Sequence, residues 1–336
     1  MYEHRIMIRC GEEFREVGVL KKGEQQFRVL KHPLLNYSED GISNILSWRE
    51  SGYKGQGLRI AVLDQKLDDA WPGFHGKVSQ PLSFSHEANE FDEFGPHNAY
   101  TPSYDPRYSH GHTVTQILHD IAPEADIFVL PYRLDARTAE SYYIYGRIPD
   151  SLQWCQANNI QIVSASLVGT DHEEIQAYEA AARDAGIMLI TSAGNRAEEG
   201  GENTITPMAR AAHWLAVGSA RFDKISRDEG VIDRYHTSSY GEELVTMQFG
   251  RRRFRRHGGP YGGHIPYGVG TSLSCPVVSG MVAMWYQRHY EINSSYPTPD
   301  EAEQFIVDNC HYITDQGQDD FSIYFGHGLF KLPELG

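Results

Sequence analysis

Residues 270–285 read Gly-Thr-Ser-Leu-Ser-Cys-Pro-Val-Val-Ser-Gly-Met-Val-Ala-Met-Trp. The Gly-Thr lead-in places Ser272 in the first turn of a predicted helix. From Val277 onwards the helix has almost no polar face, so we expect it to cross a hydrophobic core. A hydroxyl at a helix N-terminus lies among unpaired backbone N–H groups, which stabilise developing negative charge. Ser272 therefore fits a nucleophile, but in isolation an N-capping serine is the preferred interpretation.

Composition limits the class of protein. The 336 residues suffice for one large domain or two small ones, and 40% of them are hydrophobic and 22% charged, as in an ordinary globular protein. A formal net charge of −15 argues against general nucleic-acid binding. No apolar run approaches the roughly 18 residues of a membrane span. The first ten residues lack the apolar stretch of a signal peptide, and the four cysteines are scattered, so we predict free thiols in a cytoplasmic protein.

Strand and helix signals alternate from residue 58 onwards. Leu58 to Leu63 is a short apolar run typical of a strand buried on both faces, and it stops at Asp64. The other predicted strands are 125–130, 160–167, 187–191, 214–218 and 322–332, and the other predicted helices are 113–119, 151–158, 171–184 and 298–309. This alternation predicts an α/β fold in three layers, with a mainly parallel central sheet flanked by helices.

Domain boundaries follow from the same pattern. No linker interrupts residues 43–336, which we interpret as one domain that opens with a helix at 43–51 and Ser43 as its N-cap. Residues 1–42 form a short N-terminal extension with brief strands predicted at 14–19 and 26–30.

Four polar residues lie at the ends or starts of these apolar elements: Asp64, His110, Asn195 and Ser272. Taken singly, they are more typical of turn, cap or surface positions. Together they supply every role in acyl transfer, namely a nucleophile, a general base, a carboxylate that orients the base, and an amide donor for the oxyanion. The chain order of aspartate, histidine and serine distinguishes this set from other triad orders.

The motifs around these residues resemble the subtilisin-like serine protease family over roughly residues 43–336. They are Ile-Ala-Val-Leu-Asp (60–64), His-Gly-His-Thr-Val (110–114), Ala-Pro-Glu-Ala (122–125), Ser-Leu-Val-Gly (166–169), Ser-Ala-Gly-Asn (192–195), Gly-Thr-Ser-Leu-Ser-Cys-Pro (270–276) and Tyr-Phe-Gly-His-Gly-Leu (324–329). The resemblance implies a subtilisin-like fold and a triad of Asp64, His110 and Ser272. It also implies an oxyanion hole from Asn195, assisted by Thr271. The implied substrate-binding residues are Ser166, Leu167, Val168, Gly169, Ser192, Ala193, Gly194 and Arg196.

The same resemblance implies a function. We expect a serine endopeptidase, of an intracellular or precursor-processing kind, whose polypeptide substrate pairs as an extended strand with residues 166–169. Residues 1–42 look like the short extensions of intracellular relatives, and we predict that they lie across the cleft and hold the enzyme latent. The alternative is a catalytically weak relative that binds peptides as a scaffold or regulator.

Two departures from the family pattern bear on activity and metal binding. Gln65 and Lys66 follow the aspartate where the family has a small residue and glycine, and a nearby ammonium would compete for the Asp64 carboxylate. The segment from His110 to Ala122 is too short for the calcium-binding loop of many relatives. We therefore predict no required cofactor and no tight calcium site there, with weak calcium binding left open for acidic loops such as residues 87–93.

Four further features have roles that the sequence leaves open. His112 is the rival general base to His110, and Cys275 is expected to be a small buried residue without a redox role. The basic run 251–256 is by default a solvated loop, with substrate recruitment as the alternative and nucleic-acid binding a distant third. Arg196, by resemblance, stands near the mouth of the pocket for the residue before the scissile bond and would favour acidic over basic side chains.

Overall fold

A computed structural model describes residues 3–10, 13–21, 28–31, 39–65, 67, 77–79, 81, 110–131, 142–169, 173–224, 229–252, 268–311 and 321–335. Its strands are β1 (Glu3–Cys10), β2 (Glu13–Lys21), β3 (Arg28–Lys31), β4 (Arg59–Asp64), β5 (Val78–Ser79), β6 (Asp126–Pro131), β7 (Ile162–Ala165), β8 (Met188–Ser192), β9 (Leu215–Lys224), β10 (Glu229–Arg234), β11 (Leu244–Phe249), β12 (Arg251–Arg252), β13 (Gly268–Val269), β14 (Cys310–His311) and β15 (Leu329–Phe330). Its helices are α1 (Glu39–Ile42), α2 (Ile45–Glu50), α3 (His110–Ile121), α4 (Tyr142–Ala157), α5 (Glu173–Asp184), α6 (Pro207–Arg210), α7 (Thr271–Asn293) and α8 (Pro299–Asp308).

A mainly parallel sheet forms the centre of the molecule, with eleven strands in the described ranges. Its order is β14-β15-β11-β9-β8-β7-β4-β6-β5, and β10 lies beside β9 and pairs with β3. Neighbouring strands from β15 to β5 run parallel, whereas the pairs that involve β10 or β14 are antiparallel. The predicted three-layer α/β architecture is thus confirmed, and β4 and β8 end at the same edge of the sheet.

The two faces of the sheet pack against different helices because successive side chains of a strand point in opposite directions. On β4, Ile60 and Val62 belong to a buried cluster that also contains the apolar residues of α3 and α7. Ala61 and Leu63, which alternate with them, belong to a second cluster with residues of α4 and α5. The strand is therefore buried on both faces, as its continuous apolar sequence predicts.

Helices α3 and α7 cross at close range on one face of the sheet. A Cβ atom placed on Gly280 would lie 2.6 Å from Cγ2 of Ile121 and 3.6 Å from Cδ1 of Leu118, so only glycine allows this approach. Since α3 begins at His110 and α7 begins at Thr271, the crossing sets the relative position of the two helix starts.

Replacing Gly280 by Val is expected to lower the free energy of unfolding by about 1–3 kcal/mol, because the added carbons overlap the Ile121 side chain and force the helices apart. Urea denaturation would measure the change. The control is Ile292→Val near the end of α7, where the side chain is 64% exposed and little change is expected. Equal stability of the two variants would show that the crossing tolerates the extra volume.

Most predicted elements are present, with shifted ends. Helix α4 begins at Tyr142, nine residues before the predicted start, and the predicted last strand is reduced to the two residues of β15. The prediction of Ser43 as an N-cap is wrong. Asn44, with a φ of 61°, precedes α2, while the Ser43 hydroxyl donates to Oε1 of Gln248 at 3.1 Å. The hydroxyl is buried and bonds to a distant strand, which local sequence does not reveal.

The described parts of residues 1–42 include three strands. β1 and β2 pair antiparallel as a hairpin, and β3 pairs with β10 at the side of the main sheet. The two brief strands expected in this region correspond to β2 and β3. Ile42 of α1 is 5% exposed and belongs to a buried cluster with residues of β9 and β11.

Candidate active site

An aspartate–histidine pair lies at the carboxyl edge of the sheet. β4 ends at Asp64, which is fully buried, and α3 begins at His110. The Nδ1 atom of His110 lies 2.9 Å from each carboxylate oxygen of Asp64. The backbone N–H of Gln65 donates to Oδ1 of Asp64 at 2.7 Å. Because a carboxylate only accepts hydrogen bonds, the imidazole hydrogen resides on Nδ1 and Nε2 is left as the basic atom.

The environment of His110 favours its protonated form. Burial lowers the pKa of the imidazole, but the charge of Asp64 and the hydrogen bond to it outweigh burial, so the pKa lies above its ordinary value. The side chain is 36% exposed, whereas its partner Asp64 is fully buried. His110 is thus suited to accept a proton at Nε2. The rival base, His112, is 3% exposed on the inner face of the same helix, and the structure places only His110 beside Asp64.

Ser272 is the second residue of α7. Gly270 precedes the helix with a φ of 144°, a conformation that side chains rarely adopt. The hydroxyl of Ser166 donates to the backbone oxygen of Ser272 at 2.8 Å, which ties the first turn of α7 to the segment beyond β7. The sequence indicated Ser166 as a substrate-binding residue and did not reveal this contact.

Asn195 has its amide oxygen occupied by Thr271. Oδ1 accepts from the backbone N–H of Thr271 at 3.0 Å and from its hydroxyl at 3.3 Å, and the same hydroxyl accepts from the N–H of Gly194 at 3.1 Å. The amide nitrogen of Asn195 is left as a donor. It lies close to Gly270, since a Cβ atom added to that glycine would be 3.2 Å from it. Thr271 therefore orients Asn195 through its backbone N–H and its hydroxyl, a contact that the sequence did not reveal.

Residues 166–169 continue past the carboxyl end of β7. Leu167 is 3% exposed and packs into the core, whereas Val168 is 56% exposed. Leu167 can therefore offer a ligand only its backbone, and Val168 offers a side chain. Gly169 packs against α6, since a Cβ atom there would lie 2.4 Å from Sδ of Met208.

Residues 192–194 lie at the end of β8. Ser192 and Ala193 are buried, and Gly194 has a φ of 104°. A Cβ atom on Gly194 would lie 2.4 Å from Cγ2 of Thr206. This tight packing fixes the direction in which the chain enters Asn195.

Arg196 and Cys275 have partners that bear on their predicted roles. Nε of Arg196 donates to Oε1 of Glu199 at 2.8 Å, and this ion pair offsets the positive charge on which the expected preference for acidic side chains depends.

Cys275 is fully buried, its Sγ lies 3.7 Å from Oγ of Ser164, and burial raises the pKa of its thiol to about 11. Such a thiol is inert, as the sequence predicts.

Several predicted features lie outside the described residues: Lys66, the acidic loop 87–93 and residues 253–256 of the basic run. Arg251 and Arg252 form β12, which pairs with β13 immediately before Gly270. α3 runs unbroken from His110 to Ile121, so no loop is inserted there. Within the described ranges, no group of three or more His, Cys, Asp or Glu side chains is placed to hold a metal ion, and no helix has the length and hydropathy for a bilayer crossing.

Comparison with known proteins identifies the family. The model of the subtilase family matches residues 55–328. The chain belongs to the subtilase family. Like other subtilases it is a serine endopeptidase, a hydrolase that acts on polypeptides.

Individual subtilases are similar at low identity. Subtilisin NAT of Bacillus subtilis subsp. natto is 26% identical over 298 residues, which cover 87% of this chain and 69% of that protein. The major intracellular serine protease of Bacillus subtilis is 24% identical over 307 residues, covering 88% and 83%. Among solved structures, a lanthipeptide protease gives a TM-score of 0.60 at 17% identity, covering 86% of this chain and 91% of that chain. The PatG macrocyclase in complex with peptide gives 0.64 at 14% identity, covering 89% and 97%.

Proposed function

We propose that this subtilase cleaves peptide bonds through a triad of Asp64, His110 and Ser272. The contact between Nδ1 of His110 and both oxygens of the buried Asp64 carboxylate is the observation that carries the proposal. A buried carboxylate of this kind holds the imidazole in one tautomer and stabilises its protonated form. Ser272 at the start of α7 supplies the hydroxyl.

The proposed reaction has two halves. Oγ of Ser272 attacks the scissile carbonyl while Nε2 of His110 takes its proton, and His110 then gives that proton to the leaving amine. Water, activated by the same imidazole, hydrolyses the acyl-enzyme. The amide nitrogen of Asn195 and the backbone N–H of Ser272 donate to the oxyanion in both halves, with Thr271 holding Asn195 in place.

The proposed substrate is an extended segment of a precursor polypeptide that pairs with the backbone of residues 166–169. Leu167 is buried and Val168 is exposed, as in an extended segment whose successive side chains point to opposite faces. Strand pairing with a peptide uses the backbone of such a segment. Structural neighbours include a lanthipeptide protease and PagA, a maturation protease for prenylagaramide. By analogy we propose one dedicated precursor rather than general protein degradation.

We further propose that the enzyme works in the cytoplasm without a cofactor. Cys155, Cys275 and Cys310 are free thiols, which suits a reducing compartment. The chemistry of the triad requires no metal ion. A weak calcium site in the acidic loop 87–93 remains compatible with this proposal.

A fluorophosphonate probe tests the proposed nucleophile. The wild-type protein is expected to label, and Ser272→Ala is expected to abolish labelling because the attacking oxygen is gone. The matched control is Ser274→Ala two residues along the helix, where the buried hydroxyl donates to the backbone oxygen of Gln248 at 2.9 Å. This control should still label.

The same experiment separates the enzyme from the alternative, a peptide-binding scaffold. A folded wild-type protein that never labels would favour the scaffold. Labelling that persists in Ser272→Ala would contradict Ser272 as nucleophile. Mass-spectrometric cleavage profiling on a proteome-derived peptide library, with Ser272→Ala as the blank, would then define the substrate sequence, and broad cleavage of generic proteins would argue against a dedicated precursor.

A further inference from the structure

Gln65 connects the two residues of the aspartate–histidine pair. Its backbone N–H donates to Oδ1 of Asp64 at 2.7 Å, and its side-chain Oε1 accepts from the backbone N–H of His110 at 3.0 Å. Within the described part of the chain, the hydrogen bonds of Gln65 go to these two residues alone. The side chain thus bridges positions 45 residues apart in sequence.

The hydrogen bond to His110 gives a partner to a backbone N–H group at the start of α3. The first N–H groups of α3 have no partner within the helix, and the Gln65 oxygen takes the N–H of the residue that carries the imidazole. A distant side chain therefore does what an N-cap residue does locally. Because the accepted N–H belongs to His110 itself, a shift of Gln65 would shift the imidazole directly.

The backbone around Gln65 packs against the same turn of α3. A Cβ atom on Gly111 would lie 2.0 Å from the carbonyl oxygen of Gln65 and 3.0 Å from its nitrogen. Glycine at position 111 allows the end of β4 and the start of α3 to approach this closely. The end of β4 and the start of α3 are held together by this close packing and by the hydrogen bond from the His110 N–H to the Gln65 side chain.

We propose that Gln65 is a positioning residue of the triad, which sets the orientation of Asp64 through its backbone and the position of His110 through its side chain. This inference rests on the proposed function. It gives a role to the bulky residue that the sequence marked as a departure from the small residue of the family pattern. The relevant chemical property is a neutral oxygen acceptor at the length of a glutamine side chain.

Two substitutions with side chains of similar length distinguish a role for the hydrogen-bond acceptor of Gln65 from a role for its volume. Gln65→Met removes the acceptor, and Gln65→Glu keeps an oxygen that can accept the same N–H near a helix N-terminus, where negative charge is tolerated. Kinetics would be measured on an internally quenched peptide taken from the cleavage profile, with rates expressed per active site titrated by the fluorophosphonate. Thermal unfolding would show that each variant is folded.

The expected result is a difference between the variants in kcat. Gln65→Met should lower kcat by roughly 10- to 100-fold, since a small displacement of a catalytic group costs on this order. Its KM should change by no more than about twofold, because Gln65 holds the catalytic pair and not the segment proposed to bind substrate. Gln65→Glu should retain kcat within about fivefold of wild type, a rescue expected when the acceptor is kept.

Three outcomes would overturn the role of Gln65. These are an unchanged kcat per active site in Gln65→Met, equal losses in both variants, or a loss explained wholly by fewer titratable sites. All three presuppose a wild-type protein that labels at Ser272 and cleaves the peptide. A wild-type protein that does neither would instead overturn the proposed triad.

Discussion

Asp64→Asn is expected to lower kcat by about 10⁴-fold while leaving the fold intact, as the loss of the carboxylate does in triads of this kind. An asparagine amide can present its nitrogen to Nδ1 of His110, which favours the wrong tautomer. It also removes the negative charge that stabilises the imidazolium during attack. The geometry predicts a large effect because both carboxylate oxygens lie 2.9 Å from Nδ1 and Asp64 is fully buried.

The same variant has a pH signature. In the wild-type protein, burial lowers the pKa of His110 and Asp64 raises it by a larger amount, so the net shift is upward. Activity requires neutral His110, and kcat/KM should therefore rise as pH increases through this raised pKa. Without the carboxylate charge the lowering effect of burial remains, so the acidic limb of the residual kcat/KM should move to lower pH. Rates measured across the acidic and neutral range would show the shift.

Asp126→Asn is the matched control for Asp64→Asn. Asp126 begins β6 and lies in register with Arg59, at the opposite end of the parallel strands from Asp64, where it pairs with Lys77. Its loss removes one exposed ion pair, which is worth little. If Asp64→Asn kept kcat within tenfold of wild type, the aspartate–histidine pair would be structural and the proposed triad would be wrong.

The sequence predicts those elements whose residue pattern lies within the element itself. The apolar residues 60–63 predict β4 and its end at Asp64, and the strand ends there in the structure. The start of α4 was missed because Gly146 and Pro149 lie inside it, and both residues normally indicate a helix end. Tertiary packing overrides those preferences.

β11 was not predicted because its buried positions include polar residues. Thr246 donates through its hydroxyl to the backbone oxygen of Gly328 at 2.9 Å, and Gln248 donates to the backbone oxygen of Phe330 at 2.9 Å. These bonds to residues far along the chain make burial of the polar groups tolerable. Local sequence gives no sign of such partners.

In the candidate site, too, the sequence reveals what depends on one element and misses what depends on contacts between elements. The sequence indicates Asp64, His110 and Asn195 as candidates because each ends or begins an apolar element and its residue type fits a known chemical role. The orienting contacts of Gln65 and Thr271 were not found, because they depend on atoms brought together from different elements. The sequence does offer one signal for Gln65. It directly follows the aspartate that ends a buried strand, and its side chain carries an oxygen that can accept a hydrogen bond.

Asn195→Ala is expected to lower kcat by about 10²–10³-fold with little change in KM, since one oxyanion donor is lost and the ground state hardly uses it. The structure supports a preorganised donor. Thr271 occupies Oδ1 of Asn195 through two hydrogen bonds, of 3.0 Å and 3.3 Å, so the amide nitrogen needs no rearrangement during the reaction. Fluorophosphonate labelling should slow but persist in this variant, because Ser272 and His110 are untouched.

Two further variants sharpen the test of Asn195. Thr271→Val removes the hydroxyl bond to Oδ1 but keeps the backbone bond, so it should cost about tenfold in kcat, an intermediate effect. Asn203→Ala serves as the matched control, because this exposed asparagine donates to Glu243 at 2.6 Å and accepts from the backbone N–H of Ile205 at 2.9 Å, and neither partner belongs to α7. Asn203→Ala should leave kcat unchanged. A loss in Asn195→Ala no larger than that in the control would mean that the oxyanion is held by backbone N–H groups, with the Asn195–Thr271 contact serving only to pack the end of β8 against α7.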